Sequence, residues 1–191
     1  MLLVLVDLLI RVADEFDKAR IRFVLFGGMA VSTWVPERLT HDCDVVAWAG
    51  KRDVTRLQQA LLAAGARVTA LEMRWIHERR FVRLGTAAGF KLDVHLVTTP
   101  HDRAAFAQAR PVEHRGRTVM VARPEDLILY KLKAWRGQDQ LDIAQLLRSV
   151  RGLDREYVDS WLDAIAKRTG APMRDRWKQS LENARRVEEQ R

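Results

Sequence analysis

The feature that most constrains this chain is a glycine pair followed, thirteen residues later, by two aspartates one residue apart. The glycines lie in Phe26-Gly27-Gly28, and the aspartates lie in Asp42-Cys43-Asp44-Val45-Val46. A third aspartate occurs in Leu92-Asp93-Val94, again between apolar residues. The apolar neighbours predict that the aspartates lie on strands, where alternate residues face the same side. Asp42 and Asp44 should therefore present two carboxylates next to each other.

Neighbouring carboxylates of this kind indicate a cation site. Two like charges at close range are unfavourable unless a cation lies between them. Mg²⁺ is the expected cation because it binds one or two carboxylates and keeps other positions for water and substrate phosphates. The Gly27-Gly28 turn would let backbone N–H groups approach a phosphate closely. Together these features indicate phosphoryl or nucleotidyl transfer.

The composition is that of a soluble protein from a reducing compartment. A chain of 191 residues forms one domain, or one domain with a small helical appendage. Its single cysteine, Cys43, has no partner for an internal disulfide, which is typical of the cytoplasm. The apolar positions of residues 2–16 recur at helical spacing, which predicts an amphipathic helix rather than a signal peptide or a membrane span. We therefore expect a cytoplasmic protein with no membrane partner.

The net charge of +8 permits two interpretations. Most of the basic residues are arginine, whose guanidinium matches phosphate with two parallel hydrogen bonds, so the charge favours a polyanionic partner such as nucleic acid. The alternative is a solvated surface rich in arginine, because the basic residues form no single dense block.

The hydrophobic pattern predicts a mixed α/β (α+β) protein. Strands are expected at 22–26, 42–48 and 118–122, a further strand at 67–71, and a β-hairpin made of 79–84 and 90–96. From Pro124 onward the pattern is helical, with four predicted helices. The expected organisation is thus an α/β core over 1–123, with a mixed β-sheet flanked by helices, followed by a C-terminal helical region over 124–191.

The glycine pair and the three aspartates resemble the signature of the nucleotidyltransferase superfamily typified by DNA polymerase β. In that signature an apolar residue precedes Gly and then Gly or Ser, an Asp-apolar-Asp/Glu-apolar segment follows, and a third acidic residue lies on a later strand. The present chain has all three parts, with a spacing at the long end of the family's range. The resemblance implies a nucleotidyltransferase-type sheet.

A closer resemblance is to the small bacterial AbiEii/MenT-like nucleotidyltransferases, many of which are toxins of toxin–antitoxin pairs. It rests on the stretch from Gly27 through Arg38-Leu39-Thr40 to Asp44, and on a helical segment that begins at Pro124. The helical segment matches at these positions: Pro124-Glu125-Asp126-Leu127, Lys131-Leu132-Lys133-Ala134, Arg136, Asp139 and Asp142. The similarity covers about residues 20 to 148.

The resemblance implies roles for the acidic residues. Asp42 and Asp44 would hold two Mg²⁺ ions that bind the triphosphate of a nucleoside triphosphate. Asp93 would share the catalytic metal and assist deprotonation of the attacking hydroxyl. Asp42, Asp44 and Asp93 are thus the expected catalytic residues and metal ligands.

The resemblance also implies a phosphate-binding set. Backbone amides at Gly27 and Gly28 would contact the β- and γ-phosphates. Many relatives have serine where this chain has Gly28, so the amides, Arg38 or Lys131 must supply the contacts that the hydroxyl makes there. Asp139, with Asp142, could orient Lys131 or Arg136 through ion pairs, or could form a structural contact between helices.

The expected function is transfer of a nucleotide from a nucleoside triphosphate to an RNA, at the 3′ end of tRNA, by a toxin-like enzyme with a cognate antitoxin protein as a further partner. One alternative is an antibiotic-type adenylyltransferase that modifies a small molecule. Another is a non-catalytic module that binds a nucleotide or a partner protein.

Overall fold

The computed structural model describes residues 2–35, 38 and 40–189, which divide into two compact units. The described residues up to Ala30 and from Arg38 to Ala122 form the N-terminal unit. Those from Val31 to Val35, together with those from Arg123 onward, form the C-terminal unit. The sequence predicts a domain boundary between residues 123 and 124. Whether the regions on its two sides fold independently stays a prediction.

The N-terminal unit contains a β-sheet and helices. Its strands are β1 (Arg22–Phe26), β2 (Asp42–Trp48), β3 (Phe81–Gly85), β4 (Lys91–Leu96), β5 (Arg110–His114) and β6 (Arg117–Val121). Its helices are α1 (Leu2–Lys18), the first turn of α2 (Gly27–Trp34), α3 (Val54–Ala63), α4 (Ala70–Arg79) and α5 (Pro100–Gln108). A short 3₁₀ helix at Lys51–Asp53 precedes α3.

Among the described residues, six strands form one mixed sheet in the order β3-β4-β2-β1-β6-β5. The central strands β2 and β4 run parallel, as do β1 and β6, while the remaining neighbours are antiparallel. This mixed sheet with helices confirms the predicted fold class.

The two faces of the central sheet differ in character. One face is apolar and contacts α1, where the rings of Phe16 and Phe23 meet edge to face with centroids 5.5 Å apart. The side chains buried on this face are Phe23, Leu25, Cys43, Val45, Val82, Leu84, Leu92 and Val94. Because alternate residues point to opposite faces, Asp42, Asp44 and Asp93 lie on the other face.

The segment around residues 67–71 differs from the sequence prediction. The predicted strand is wrong, because the chain there enters α4 and only Ala66 makes an isolated bridge, to Thr86. Thr69 and Glu72 form a reciprocal capping box, in which Glu72 Oε2 accepts the Thr69 N–H at 2.6 Å and Thr69 Oγ1 accepts the Glu72 N–H at 3.4 Å. These bonds satisfy two amides at the helix start and fix a helix where alternation had favoured a strand.

The C-terminal unit is helical, as the sequence predicts. Beyond the last turn of α2 it contains α6 (Pro124–Ala134), α7 (Gly137–Ser149), α8 (Arg155–Thr169) and α9 (Met173–Glu189). The four helices contact one another around a core that includes Leu127, Ile128, Leu132, Ile143, Leu146, Val158, Leu162 and Trp177. Pro124 begins α6 at a first-turn position, with Glu125 and Asp126 behind it.

Within the described ranges, no helix combines the length and apolar character that crossing a membrane would require.

Candidate active site

Three aspartates share the open face of the sheet at the start of β2 and the middle of β4. The parallel pairing of β2 with β4 places Asp44 directly opposite Asp93, and Asp42 opposite Lys91. Paired residues on neighbouring strands face the same side, so the three carboxylates lie on one surface. Asp42 and Asp44 are half-buried, whereas Asp93 is only 3% exposed.

The glycine turn lies directly against Asp44. The antiparallel pairing of β1 with β2 places Phe26 opposite Asp44, so the chain turns into α2 beside this carboxylate. Gly27 has a φ of +62°, and a Cβ there would lie 2.1 Å from Asp44 Oδ2. The backbone N–H of Gly28 donates to Asp44 Oδ2 at 3.4 Å. Both the backbone conformation and the space therefore require glycine at position 27.

Gly28 is enclosed by two polar side chains. A Cβ at this position would lie 2.6 Å from Thr40 Oγ1 and 3.0 Å from Arg38 Nη2. The structure thus places the Arg38 guanidinium beside the glycine turn and on the same unit as the three aspartates. Thr40, which sequence reasoning did not identify as a site residue, also accepts the backbone N–H of Asp42 at 3.5 Å.

Arg83 is a second site residue that sequence reasoning did not identify. It lies opposite Asp93 in the antiparallel pair of β3 and β4. Its Nε donates to Asp93 Oδ1 at 2.8 Å and its Nη2 to Asp93 Oδ2 at 2.6 Å, so both oxygens of the carboxylate are engaged. These hydrogen bonds, and then the charges of Asp93, Asp42 and Asp44, raise the pKa of the guanidinium above its ordinary value.

The fit of Mg²⁺ to this face is partial. In the part of the chain that the structure describes, no three His, Cys, Asp or Glu side chains converge closely enough to hold a metal ion. Asp42 and Asp44 offer carboxylate oxygens, the donors that Mg²⁺ prefers, whereas Arg83 bonds both oxygens of Asp93. The donor set therefore fits Mg²⁺ at Asp42 and Asp44 only, while both oxygens of Asp93 are engaged by Arg83.

Cys43 takes no part in this chemistry. Its side chain lies between the two aspartates in sequence but is fully buried on the opposite face. Burial, followed by the nearby charges of Asp44 and Asp93, raises the pKa of the thiol well above its ordinary value, so the thiol stays protonated and unreactive.

Lys131 and Asp139 belong to the C-terminal unit, where they form a buried cluster of charges. Lys131 Nζ donates to Asp139 Oδ1 at 3.4 Å and to Asp142 Oδ2 at 2.5 Å. Asp139 also accepts the backbone N–H of Arg136 at 3.0 Å and its Nε–H at 2.8 Å. Gln138 Nε2 donates to Asp142 Oδ1 at 2.9 Å. These ion pairs are those that both sequence interpretations expect, an oriented lysine and a structural contact between helices, and the binding of phosphate by Lys131 stays a prediction.

The pKa of Asp139 reflects opposing influences. Burial alone would raise it, but the hydrogen bonds from the Arg136 side chain and backbone and the charge of Lys131 outweigh burial and lower the pKa below its ordinary value. The carboxylate is therefore ionised near neutral pH and contributes a full charge to the cluster.

No protein-family model matches the sequence, and no curated protein matches it either. Similarity appears at the level of structure. The solution structure of the antibiotic-resistance factor ANT(2'')-Ia superposes with a TM-score of 0.63 at 17% identity, over 90% of this chain and 96% of that one. A crystal structure of ANT(2'')-Ia in complex with adenylyl-2''-tobramycin has a TM-score of 0.58 at 18% identity, over 86% and 98%.

Two further structures are similar at the same level of identity. The lincosamide antibiotic adenylyltransferase LnuA, with lincomycin bound, has a TM-score of 0.51 at 17% identity, over 75% of this chain and 96% of that one. An antigenic nucleotidyltransferase-like protein from Paracoccidioides brasiliensis has a TM-score of 0.52 at 17% identity, over 94% and 91%. At such low identity the likeness concerns the fold, and the chain has the fold of the nucleotidyltransferases.

Proposed function

We propose that this chain is a Mg²⁺-dependent nucleotidyltransferase, which moves a nucleotide from a nucleoside triphosphate to an acceptor hydroxyl and releases pyrophosphate. The observation that carries the proposal is the contact between the glycine turn and Asp44. A left-handed glycine whose missing Cβ leaves room for a carboxylate brings the start of a helix next to a row of acidic residues. A helix start favours phosphate, and carboxylates favour the cation that accompanies phosphate.

Each candidate site residue of the N-terminal unit has a role in this proposal. Amides at the Gly27-Gly28 turn and the guanidinium of Arg38 bind the phosphates of the nucleotide. Asp42 and Asp44 hold Mg²⁺, and Asp93 completes the site once its oxygens are available. Bound Mg²⁺ would neutralise charge on the phosphates and stabilise the attacking and leaving oxygens. Asp93 also accepts the proton of the acceptor hydroxyl.

Lys131 is the proposed further phosphate ligand, oriented by Asp139. Two carboxylates contact its ammonium group, and Arg136, whose side chain is 75% exposed, brings the charge of this cluster only to neutrality. The cluster therefore carries no net positive charge that would attract a phosphate. A purely structural link between α6 and α7 is the alternative for these residues, because buried ion pairs of this kind also fix how two helices pack.

We further propose that the acceptor is RNA, at the 3′ end of tRNA. The AbiEii/MenT-like resemblance implies a toxin-like role with a cognate antitoxin, and we propose that the enzyme acts in the cytoplasm. The net charge of +8 supports a polyanionic acceptor. Basic residues also border the carboxylates, since Lys91 lies opposite Asp42 and Arg38 lies beside Gly28.

A small-molecule acceptor has support of equal weight. The structures of ANT(2'')-Ia with adenylyl-2''-tobramycin and of LnuA with lincomycin bound contain antibiotics or their products, and both have the same fold. An enzyme for a cationic drug would need an acidic acceptor pocket. Acidic residues come together both at the proposed metal site and at Asp139 and Asp142, so their placement does not separate the two acceptors.

The test is transfer of label from each of four labelled nucleoside triphosphates, with Mg²⁺, to total tRNA and, in parallel, to an aminoglycoside and a lincosamide. Asp42→Ala/Asp44→Ala and Asp44→Asn are the matched controls, and both should abolish transfer. Label in tRNA from the wild type alone would support the RNA proposal, and label in an antibiotic alone would favour the small-molecule alternative. Substantial transfer by Asp44→Asn would refute the metal assignment, and nucleotide binding without transfer to any acceptor would favour a non-catalytic module.

A further inference from the structure

The ion pair between Arg83 and Asp93 joins groups of very different exposure. The Asp93 side chain is 5% exposed, whereas the Arg83 side chain is 52% exposed. The carboxylate is fixed in the middle of β4, between strands on both sides. The guanidinium approaches it from the edge strand β3 and has open solvent on its other side. The arginine can therefore leave this contact without any movement of the sheet, and the aspartate cannot.

The carboxylates around this ion pair require a positive charge close to them, with or without a bound metal ion. Asp93 lies directly opposite Asp44 on the neighbouring strand, and Asp42 is one alternate position further along the same face. Both of these carboxylates, in addition to Asp93, stabilise the charged form of Arg83. A buried carboxylate beside two others would be strongly unfavourable with no counter-ion. Arg83 supplies that counter-ion from within the chain.

We propose that Arg83 is a resident counter-cation of the carboxylate row, and that it competes with the divalent cation for the oxygens of Asp93. The inference rests on the proposed function, which assigns Mg²⁺ to this face. With no divalent cation bound, the guanidinium occupies both oxygens of Asp93. When the cation binds with Asp93 as a ligand, those bonds open and the guanidinium turns toward solvent.

Competition follows from the geometry because the bonds of Arg83 engage both oxygens at 2.6 and 2.8 Å. A bidentate guanidinium takes one lone pair on each oxygen of the carboxylate, and its positive charge repels a second cation at the lone pairs that remain, so a metal ion exchanges with the arginine rather than adding to the pair. The exchange lowers the affinity for the cation relative to a site with a free third carboxylate.

The test is Mn²⁺ binding to the purified full chain, measured by isothermal titration calorimetry in the absence of nucleotide. Arg83→Gln should bind Mn²⁺ at least about tenfold more tightly than the wild type, which corresponds to about 1.4 kcal/mol. Arg83→Lys keeps the charge but loses the two-pronged contact, and should fall between the two. The matched control is Arg174→Gln, which removes a bidentate pair with Asp163, at 2.6 Å for both bonds, from the C-terminal unit. This variant should bind Mn²⁺ as the wild type does.

A double-mutant cycle locates the effect at Asp93. In an Asp93→Asn background, Arg83→Gln should raise the affinity for Mn²⁺ by much less than when Asp93 is present, because only the smaller effect of the arginine charge on Asp42 and Asp44 remains. Equal affinity in the wild type and in Arg83→Gln would overturn the competition and leave the proposed function standing. Failure of the wild type and Arg83→Gln to bind Mn²⁺ at millimolar concentration would also overturn the competition, and the transfer assay with Asp44→Asn would then test the metal site on its own.

A measurement on the wild type covers the case in which Arg83→Gln does not fold. The Nε–H resonance of Arg83, assigned by its loss in Arg83→Lys, should be protected from exchange with water in the metal-free protein. Addition of Mg²⁺ should remove that protection. A protected resonance at saturating Mg²⁺ would overturn the proposal.

Discussion

At the scale of single residues, the turn at Gly27 combines two demands that only one amino acid meets. The backbone is left-handed there, and the carboxylate of Asp44 occupies the position that a Cβ would take. Sequence reasoning expected glycine for the approach of a phosphate. The structure adds that the side chain in contact with the turn is one of the proposed metal ligands, so the phosphate-binding and metal-binding parts of the site depend on the same turn.

Gly27→Ala should therefore destabilise the protein and weaken nucleotide binding. A left-handed alanine costs about 1–2 kcal/mol, and the displaced carboxylate adds to this, so we expect a loss of about 2–3 kcal/mol in the free energy of unfolding by urea. Gly85→Ala is the matched control, since a Cβ at Gly85 in β3 would meet nothing within 4 Å. It should stay within about 0.5 kcal/mol of the wild type. Equal midpoints for the two variants would show that the turn does not approach Asp44 in solution.

The partner of Asp93 illustrates what a sequence can and cannot determine about a site residue. Alternation of apolar and polar residues correctly predicted a hairpin from 79–84 and 90–96, with Asp93 on a strand. The register of the hairpin places Arg83 opposite Asp93. A shift of two residues would place Arg83 opposite Lys91 and leave every side chain on the same face, so the pattern alone could not distinguish the two pairings.

At the scale of elements, two segments have a secondary structure that the hydrophobic pattern did not predict. The helix α4 begins at a capping box, and its Thr69-x-x-Glu72 signal was present in the sequence but was outweighed by the alternation of residues 67–71. The strand β5 is absent from the sequence prediction, and its second residue, Pro111, is of a type that argues against a strand in a sequence pattern. A proline is tolerated there because β5 is the edge strand of the sheet and pairs on one side only. Both misses lie outside the row of aspartates, whose strands the pattern predicted correctly.

The charge cluster that links α6 to α7 should make the stability of the protein depend on pH. The pKa of Asp139 is lowered in the folded state, so its contribution to stability is complete above its unfolded pKa of about 3.9 and is lost as the pH falls through the lower, folded value. Asp139→Asn should cost about 2–3 kcal/mol at pH 7, because a buried partner of Lys131 and Arg136 is removed.

The same variant should lose less stability than the wild type as the pH falls below about 4, since the titrating group is absent. Urea unfolding at pH 7, 4 and 3 measures both effects. The exposed Asp159→Asn is the control, and should change the free energy of unfolding by no more than about 0.5 kcal/mol. Parallel pH curves for the wild type and Asp139→Asn would contradict the role of this carboxylate.

At the scale of the whole molecule, the net charge of +8 and the row of carboxylates act in opposite directions. The overall field attracts polyanions, while the row of Asp42, Asp44 and Asp93 would repel a phosphate that arrives without a cation. Arg83, Arg38 and Lys91 border this row and reduce the repulsion. The net charge of the protein thus attracts a polyanionic acceptor, and the basic side chains beside the row reduce its repulsion by the carboxylates. A cationic drug would be attracted by the carboxylates alone.

Added salt should change the affinity for RNA and the affinity for a cationic drug in different directions, which distinguishes the two acceptors. If the acceptor is RNA, the affinity for labelled tRNA, followed by fluorescence anisotropy without nucleotide, should fall at least about tenfold between about 50 and 200 mM KCl, because bound phosphates release counterions. A cationic aminoglycoside serves as the matched probe, and net repulsion by the protein should leave its affinity unchanged or raise it as salt is added. The opposite outcome, with tRNA insensitive to salt and the drug weakened by it, would mean that the acceptor surface is acidic, and would move the proposed function from RNA to a small cationic acceptor.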